Sequence, residues 1–153
     1  MTQQFDPDAF WNFSGQIYSQ ASVKECCLTL QNRHGVDINL LLLCRWVDQQ
    51  QLMIAEAALQ ELMTLSESWQ TGRLNPLRAA RATLGRGSAP YQAALKRELD
   101  AEKKEQRALI DLLNQPQAIN HKQPFSTGVN CAAYAGMKSF PLRDFSELIN
   151  ERL

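Results

Sequence analysis

Apolar residues recur at helical spacing along this chain, and they are densest between residues 37 and 47. At about 100° per residue, the side chains from Ile38 to Val47 leave almost no side of a helix without apolar surface. Such a helix must be enclosed by other elements or by lipid, and this one is much shorter than the roughly 20 residues that cross a bilayer. We therefore predict that residues of about 38–48 form the central helix of a bundle.

The same periodicity predicts helices on both sides of this segment. Asp6-Pro7 is typical of a helix start, with a capping side chain followed by proline in the first turn. Ser22 to Glu25 has a capping-box pattern that opens a second helix, and Gly35 is its expected end. Further helices are predicted at about 53–70, from 75, at about 89–114, at 128–138 and from 141. No stretch alternates with period two, so the predicted fold is all-α, a single-domain bundle of about six to eight helices over 1–153.

Charge and composition narrow the classes of partner. Sixteen basic and sixteen acidic residues cancel, so the chain has no global field that attracts nucleic acid or an anionic membrane. The basic segment from Arg73 to Arg97 keeps RNA binding as a third hypothesis, which the neutral total disfavours. The first residues have neither the basic nor the apolar part of a secretory signal, so we expect a cytoplasmic protein with reduced cysteines. The oligomeric state stays open.

The residues that usually carry metal or redox chemistry show no recognised spacing. The four cysteines contain no CxxC pair, and the two histidines do not complete a zinc pattern. We therefore predict no metal, no cofactor and no catalytic residue, and whether the protein is an enzyme stays open. The three tryptophans, which we interpret as core residues, are Trp11, Trp46 and Trp69.

Polar residues interrupt the apolar stripe of the long sixth helix. That stripe consists of Tyr91, Leu95, Leu99, Leu109, Ile110 and Leu113. On a helical wheel, Glu102 and Gln106 fall within it. A carboxylate removed from water is costly unless it is paired, so Glu102 should lie in the core or at a groove, beside a cationic partner.

Several residues on or beside other apolar stripes are candidate partners of Glu102. The predicted polar cluster consists of Asn39, Arg45, Arg78, Arg81, Glu98 and Glu102, with Asp37 as a further candidate. In one interpretation these groups bond one another and only fix the register of the helices. In another they line a pocket among helices three, five and six, where Glu102 is an acid or base and Arg78 and Arg81 hold an anion. Simple exposure at the surface is a third.

Part of the chain resembles a known family. The matching runs are Phe10-Trp11-Asn12-Phe13-Ser14, Tyr18, residues 23–31, residues 34–42, Trp69, Pro76-Leu77-Arg78, Arg81 and residues 98–102. In these runs the chain is similar to the DUF2390 family, small uncharacterised bacterial proteins found mainly in gammaproteobacteria. The resemblance covers about residues 10–113 and is weaker in the tail at 116–153. It implies a cytosolic bacterial protein of unknown function, and it transfers no catalytic residue.

Two functional hypotheses follow. The leading one is a non-catalytic adaptor that binds a protein partner, with the loop around Gly85 and the tail after Pro116 free to move. The alternative is a small-molecule-binding protein or an enzyme that uses the Arg/Glu/Asn pocket. A closed set of bonds without a cavity would favour the adaptor, whereas an open pocket of a few hundred cubic ångströms would favour the ligand.

Overall fold

A computed structural model describes residues 4–150, and the predictions for residues outside that range are not addressed by it. The helices are Pro7–Tyr18 (α1), Ala21–His34 (α2), Ile38–Gln49 (α3), Glu56–Trp69 (α4), Asn75–Ala82 (α5), Ala89–Leu113 (α6), Val129–Lys138 (α7) and Arg143–Asn150 (α8). A π-helical turn, Gln70–Leu74, joins α4 directly to α5. Within residues 4–150 the β-structure is limited to an isolated bridge between Ile54 and Ile119, so the predicted all-α class is confirmed.

The predicted central helix is confirmed as α3. Asp37 caps it by accepting a hydrogen bond from the backbone N–H of Asn39 at 2.9 Å. Helices α1, α2, α4, α6 and α7 all contact α3. Its buried residues are Ile38, Leu40, Leu41, Leu42, Leu43, Cys44, Val47 and Asp48. None of the helices in the described range is long and apolar enough to cross a membrane.

The C-terminal end of α3 anchors α7. Gly128, which precedes α7, has a φ of 72° that favours glycine, and it has no side chain with which to cap the helix. Asp48 of α3 supplies the cap instead. Its two oxygens accept hydrogen bonds from the backbone N–H groups of Asn130 at 2.9 Å and Cys131 at 3.2 Å. The later part of the chain is thereby fixed to the central helix.

Three helix starts differ from the predicted ones. The Asn130 side chain bonds the backbone of Leu52 and Ile54, each at 2.8 Å, so this stretch is extended and α4 begins at Glu56 rather than near residue 53. In α2 the carbonyl of Gln20 accepts the first helical bond, so the helix begins at 21 and Ser22 lies within its first turn. In α8 the carbonyl of Leu142 has this role, so the helix begins at 143 rather than at 141.

The buried face of α6 also differs from the predicted stripe. Leu99 is 52% exposed, and Leu95 is only partly buried. The buried positions in this half of the helix are Ala94, Glu98, Ala101 and Glu105. Two small residues alternate with two glutamates at spacings of three and four, which leaves room for the carboxyl groups and their partners. In its N-terminal half the helix is therefore turned so that Glu98 and Glu105, not Leu95 and Leu99, face the neighbouring helices, whereas Leu109 and Leu113 are buried in its C-terminal half.

Candidate functional site

A cleft of about 200 Å³ opens beside the N-terminal half of α3. Helices α1, α3 and α6 form its sides, and Arg78 of α5 reaches its edge. The apolar and aromatic side chains that line it are Trp11, Tyr18, Ile38, Leu42 and Leu99. Its polar lining consists of Ser14, Gln31, Asp37, Asn39, Arg78, Glu102 and Gln106. The cleft therefore joins apolar surface to a concentrated set of polar groups.

Ser14, Asn39 and Gln106 form a hydrogen-bonded floor, and Glu105 is bonded to it from below. Asn39 donates from Nδ2 to Oε1 of Glu105 at 2.7 Å, and its Oδ1 accepts from Nε2 of Gln106 at 3.0 Å. The same Nε2 of Gln106 donates to Oγ of Ser14 at 3.1 Å. These bonds connect α1, α3 and α6 at the base of the cleft.

The floor leaves one acceptor without a donor. Nδ2 of Asn39 also lies 3.4 Å from the backbone carbonyl of Glu102, which can only accept, and this contact sets the orientation of the Asn39 amide. Because Oδ1 of Asn39 must then receive a donor, Gln106 turns its Nε2 towards it. Oε1 of Gln106 is left buried with no hydrogen-bond partner among the described residues, and the side chain is only 2% exposed. Buried polar atoms are normally paired, so this oxygen needs an explanation.

Below the floor lies a pair of buried carboxyl groups. Asp37 and Glu105 share a hydrogen bond, which requires that one of them keep its proton. Burial and, to a smaller extent, this hydrogen bond to Asp37 raise the pKa of Glu105 to about 10. Oδ2 of Asp37 also accepts a hydrogen bond from Oγ of Ser66 at 2.5 Å. At neutral pH Glu105 therefore keeps its proton.

The π-helical turn brings Gln70 to this pair. Nε2 of Gln70 lies 3.4 Å from each carboxyl oxygen of Glu105, and its Oε1 accepts a hydrogen bond from Arg78 at 2.7 Å. Irregular turns of this kind are frequent at functional sites. Gln70 thus links the buried carboxyl pair to the guanidinium at the edge of the cleft.

Two arginines and two glutamates form the outer part of the cluster. Arg81 pairs with the buried Glu98 and also contacts Tyr91. Arg78 lies 4.0 Å from Glu98 and 3.6 Å from Glu102. The side chain of Glu102 is 32% exposed, so it lies at the groove rather than in the core. Burial raises the pKa of Glu102, and the Arg78 charge partly opposes this shift.

Arg45 does not join the cluster, so its assignment to the cluster is wrong. It lies six residues after Asn39, about 240° around α3, and therefore on another side of the helix. There its charge acts on Cys131 of α7, whose pKa is raised chiefly by burial. Within residues 4–150 Arg45 forms no ion pair, and its Nε is buried without a partner. The structure brings together the other predicted residues, Asn39, Arg78, Arg81, Glu98 and Glu102.

Two important residues at or below the cleft were not among the predicted site residues. Glu105 is fully buried, and the spacing of Glu98, Ala101 and Glu105 along α6 was the signal that could have revealed it. Trp11, interpreted as a core residue, lines the cleft, whereas Trp46 packs against Phe5 and Phe10 in the core. Among the described residues, no group of three or more His, Cys, Asp or Glu side chains could hold a metal ion.

Comparison with known families agrees with the resemblance seen in the sequence. The sequence profile of a family described as "Protein of unknown function (DUF2390)" matches residues 9–109, about two thirds of the chain. The chain belongs to the DUF2390 family. Every residue that lines the cleft lies within the DUF2390 match, whereas α7 and α8 lie beyond it. No curated protein and no solved structure matches the chain.

Proposed function

We propose that this DUF2390 protein binds a small molecule in the cleft beside α3. The supporting observation is the cleft itself, which meets the polar floor at its base and aromatic side chains on its walls. Ligand sites are mostly apolar, with a small number of polar groups that fix the orientation of the ligand. Because the pocket is open, we now favour ligand binding over the adaptor hypothesis, and we assign no catalytic step.

The volume of the cleft restricts the size of the ligand. A protein cavity of about 150 Å³ accommodates benzene. A cleft of about 200 Å³ therefore suits one ring, or an aliphatic chain of similar size, with a short polar substituent. We also propose a cytoplasmic location, because all four cysteines are free thiols, as a reducing compartment would keep them.

Gly15 offers a direct way to close the cleft. It lies in α1 among the lining residues, and a Cβ built on it meets no atom within 4 Å. A leucine at this position would extend into open space rather than into the core. Gly136 of α7 has the same open surroundings and lies outside the lining of the cleft, so Gly136→Leu is a matched control.

The test is a fragment screen by ligand-observed NMR, with single-ring compounds at millimolar concentration. We expect the hits to perturb the amide signals of residues that line the cleft. Gly15→Leu should weaken their binding at least tenfold, whereas Gly136→Leu should leave it unchanged. Hits that bind Gly15→Leu normally, or a library without any hit on the folded protein, would contradict the proposal.

A further inference from the structure

We infer that the ligand is an organic cation, a protonated amine on a one-ring body, whose ammonium group is held by Glu102 and Gln106. This inference rests on the proposed function and specifies the chemical class of the ligand. Three observations lead to it: the charge of the cluster, the engagement of its arginines, and the unpaired oxygen of Gln106.

The cluster at the cleft has an excess of negative charge. Its carboxyl groups belong to Asp37, Glu98, Glu102 and Glu105, and its guanidinium groups belong to Arg78 and Arg81. One proton is shared within the buried carboxyl pair. Within this cluster three negative charges therefore face two positive ones, and a ligand with one positive charge would balance them. Lys24 and Lys103, whose ammonium groups lie over rings of the cleft walls, are exposed side chains outside the cluster.

The arginines are already occupied. Arg78 donates to Gln70 at 2.7 Å and to Asn75 at 3.2 Å, and it also lies near Glu98 and Glu102. Arg81 is paired with Glu98 and does not line the cleft. An anionic ligand would have to displace these partners. This arrangement argues against the anion-binding role that the sequence suggested for both arginines.

The walls and the floor suit an ammonium group. The ring of Trp11 lies 5.5 Å from Nζ of Lys103, and the ring of Tyr18 lies 5.7 Å from Nζ of Lys24. Both lysines are exposed, so a ligand ammonium group would displace only solvated side chains from these rings. At the floor, Oε1 of Gln106 has no donor among the described residues. An ammonium group carries three N–H donors and no acceptor, so it can pair with the Glu102 carboxylate. It can also donate to Oε1 of Gln106 once the Gln106 amide shifts and opens this buried atom to the cleft.

The experiment compares three probes that share a phenyl ring: 2-phenylethylamine, 2-phenylethanol and 3-phenylpropanoate. Their affinities are measured by NMR titration at neutral pH on the wild-type protein, Glu102→Gln and Gly15→Leu. Glu61→Gln removes the same charge from an exposed position of α4 and is the matched control. We expect the amine to bind at least tenfold more tightly than the alcohol. Glu102→Gln should remove most of this difference, and Glu61→Gln should not.

The outcomes separate the two proposals. If the alcohol or the carboxylate binds as tightly as the amine, or if Glu102→Gln leaves the preference unchanged, the cation inference is overturned. Binding that Gly15→Leu abolishes would still support the cleft as a ligand site. If none of the three probes binds, the cation inference also fails, and the fragment screen alone then decides whether the cleft binds a ligand.

Discussion

The two ends of the central helix each carry a buried aspartate, and the two carboxylates have different partners. Asp37 is 3% exposed and Asp48 is 4% exposed. Both oxygens of Asp48 accept hydrogen bonds from backbone N–H groups at the start of α7. Asp37 accepts one backbone bond from Asn39, and its other partners are the side chains of Ser66 and Glu105.

This difference separates a structural carboxylate from one that can take part in binding. A backbone N–H can only donate, so the partners of Asp48 favour its ionised form and fix its orientation, although burial raises its pKa. A hydroxyl can rotate, and a carboxyl can gain or lose a proton, so the partners of Asp37 can adjust. Asp37, whose partners can adjust, lies beside the cleft, whereas Asp48 fixes α7 to the central helix.

The sharpest test of this comparison is the same isosteric change at both ends. In Asp48→Asn the new NH₂ group faces a backbone N–H, so a buried donor loses its acceptor and we expect a loss of about 2–3 kcal/mol in the free energy of unfolding. In Asp37→Asn the NH₂ group can donate to Ser66 or to Glu105, and the loss should be at least about 1 kcal/mol smaller. Urea denaturation measures both values, and equal losses would contradict the distinction.

A smaller effect of opposite sign is expected from Glu105→Gln. The folded protein keeps a proton on Glu105, whereas the unfolded chain releases this proton above a pH of about 4.5. Because of this group, the free energy of unfolding decreases as the pH rises from about 4.5 towards about 10. Glutamine can accept from Asn39 and donate to Asp37 without taking up a proton. We expect Glu105→Gln to be more stable by roughly 1–2 kcal/mol at pH 8.

The check is the pH dependence of stability. Urea denaturation between pH 5 and 9 should give a shallower slope for Glu105→Gln than for the wild-type protein, with the two curves converging at the acid end. Glu61→Gln, at an exposed position, is the control for the loss of a carboxylate. A pH slope equal to that of the wild-type protein would show that the pair holds no extra proton.

The smallest effect is expected from Glu102→Gln in the absence of ligand. Its side chain is one third exposed, and the nearest guanidinium nitrogen of Arg78 is 3.6 Å away. Such partly solvated pairs contribute less than about 1 kcal/mol. Thermal unfolding should therefore shift by only a few degrees. A loss above roughly 3 kcal/mol, typical of a broken buried pair, would place Glu102 in the core, as one of the two sequence-based alternatives had it.

The positions of the helices followed from local patterns in the sequence. Asp6 and Gly35 lie where a cap and a helix end were predicted, because both depend on backbone groups a few residues away. The start of α4 could not be predicted in the same way. The extended stretch before Glu56 is held by Asn130, which lies more than 70 residues further along the chain.

The cleft was predictable only in part. A wheel placed Glu102 near an apolar stripe, and the supply of arginines indicated a partner, which proved to be Arg78. The wheel could not show that α6 turns Glu98 and Glu105 inward and leaves Leu99 half exposed. It also placed Arg45 in the cluster, although that side of α3 faces α7.

The sequence by itself determined that this protein is helical and that α3 lies at its centre, because a segment that is apolar on every side can only be enclosed. Only the tertiary structure decided which polar groups meet. The rotation of each helix about its axis depends on all of its neighbours at once, and a rotation of one residue exchanges a leucine for a glutamate. The shared proton of Asp37 and Glu105 and the unpaired oxygen of Gln106 arise from those rotations.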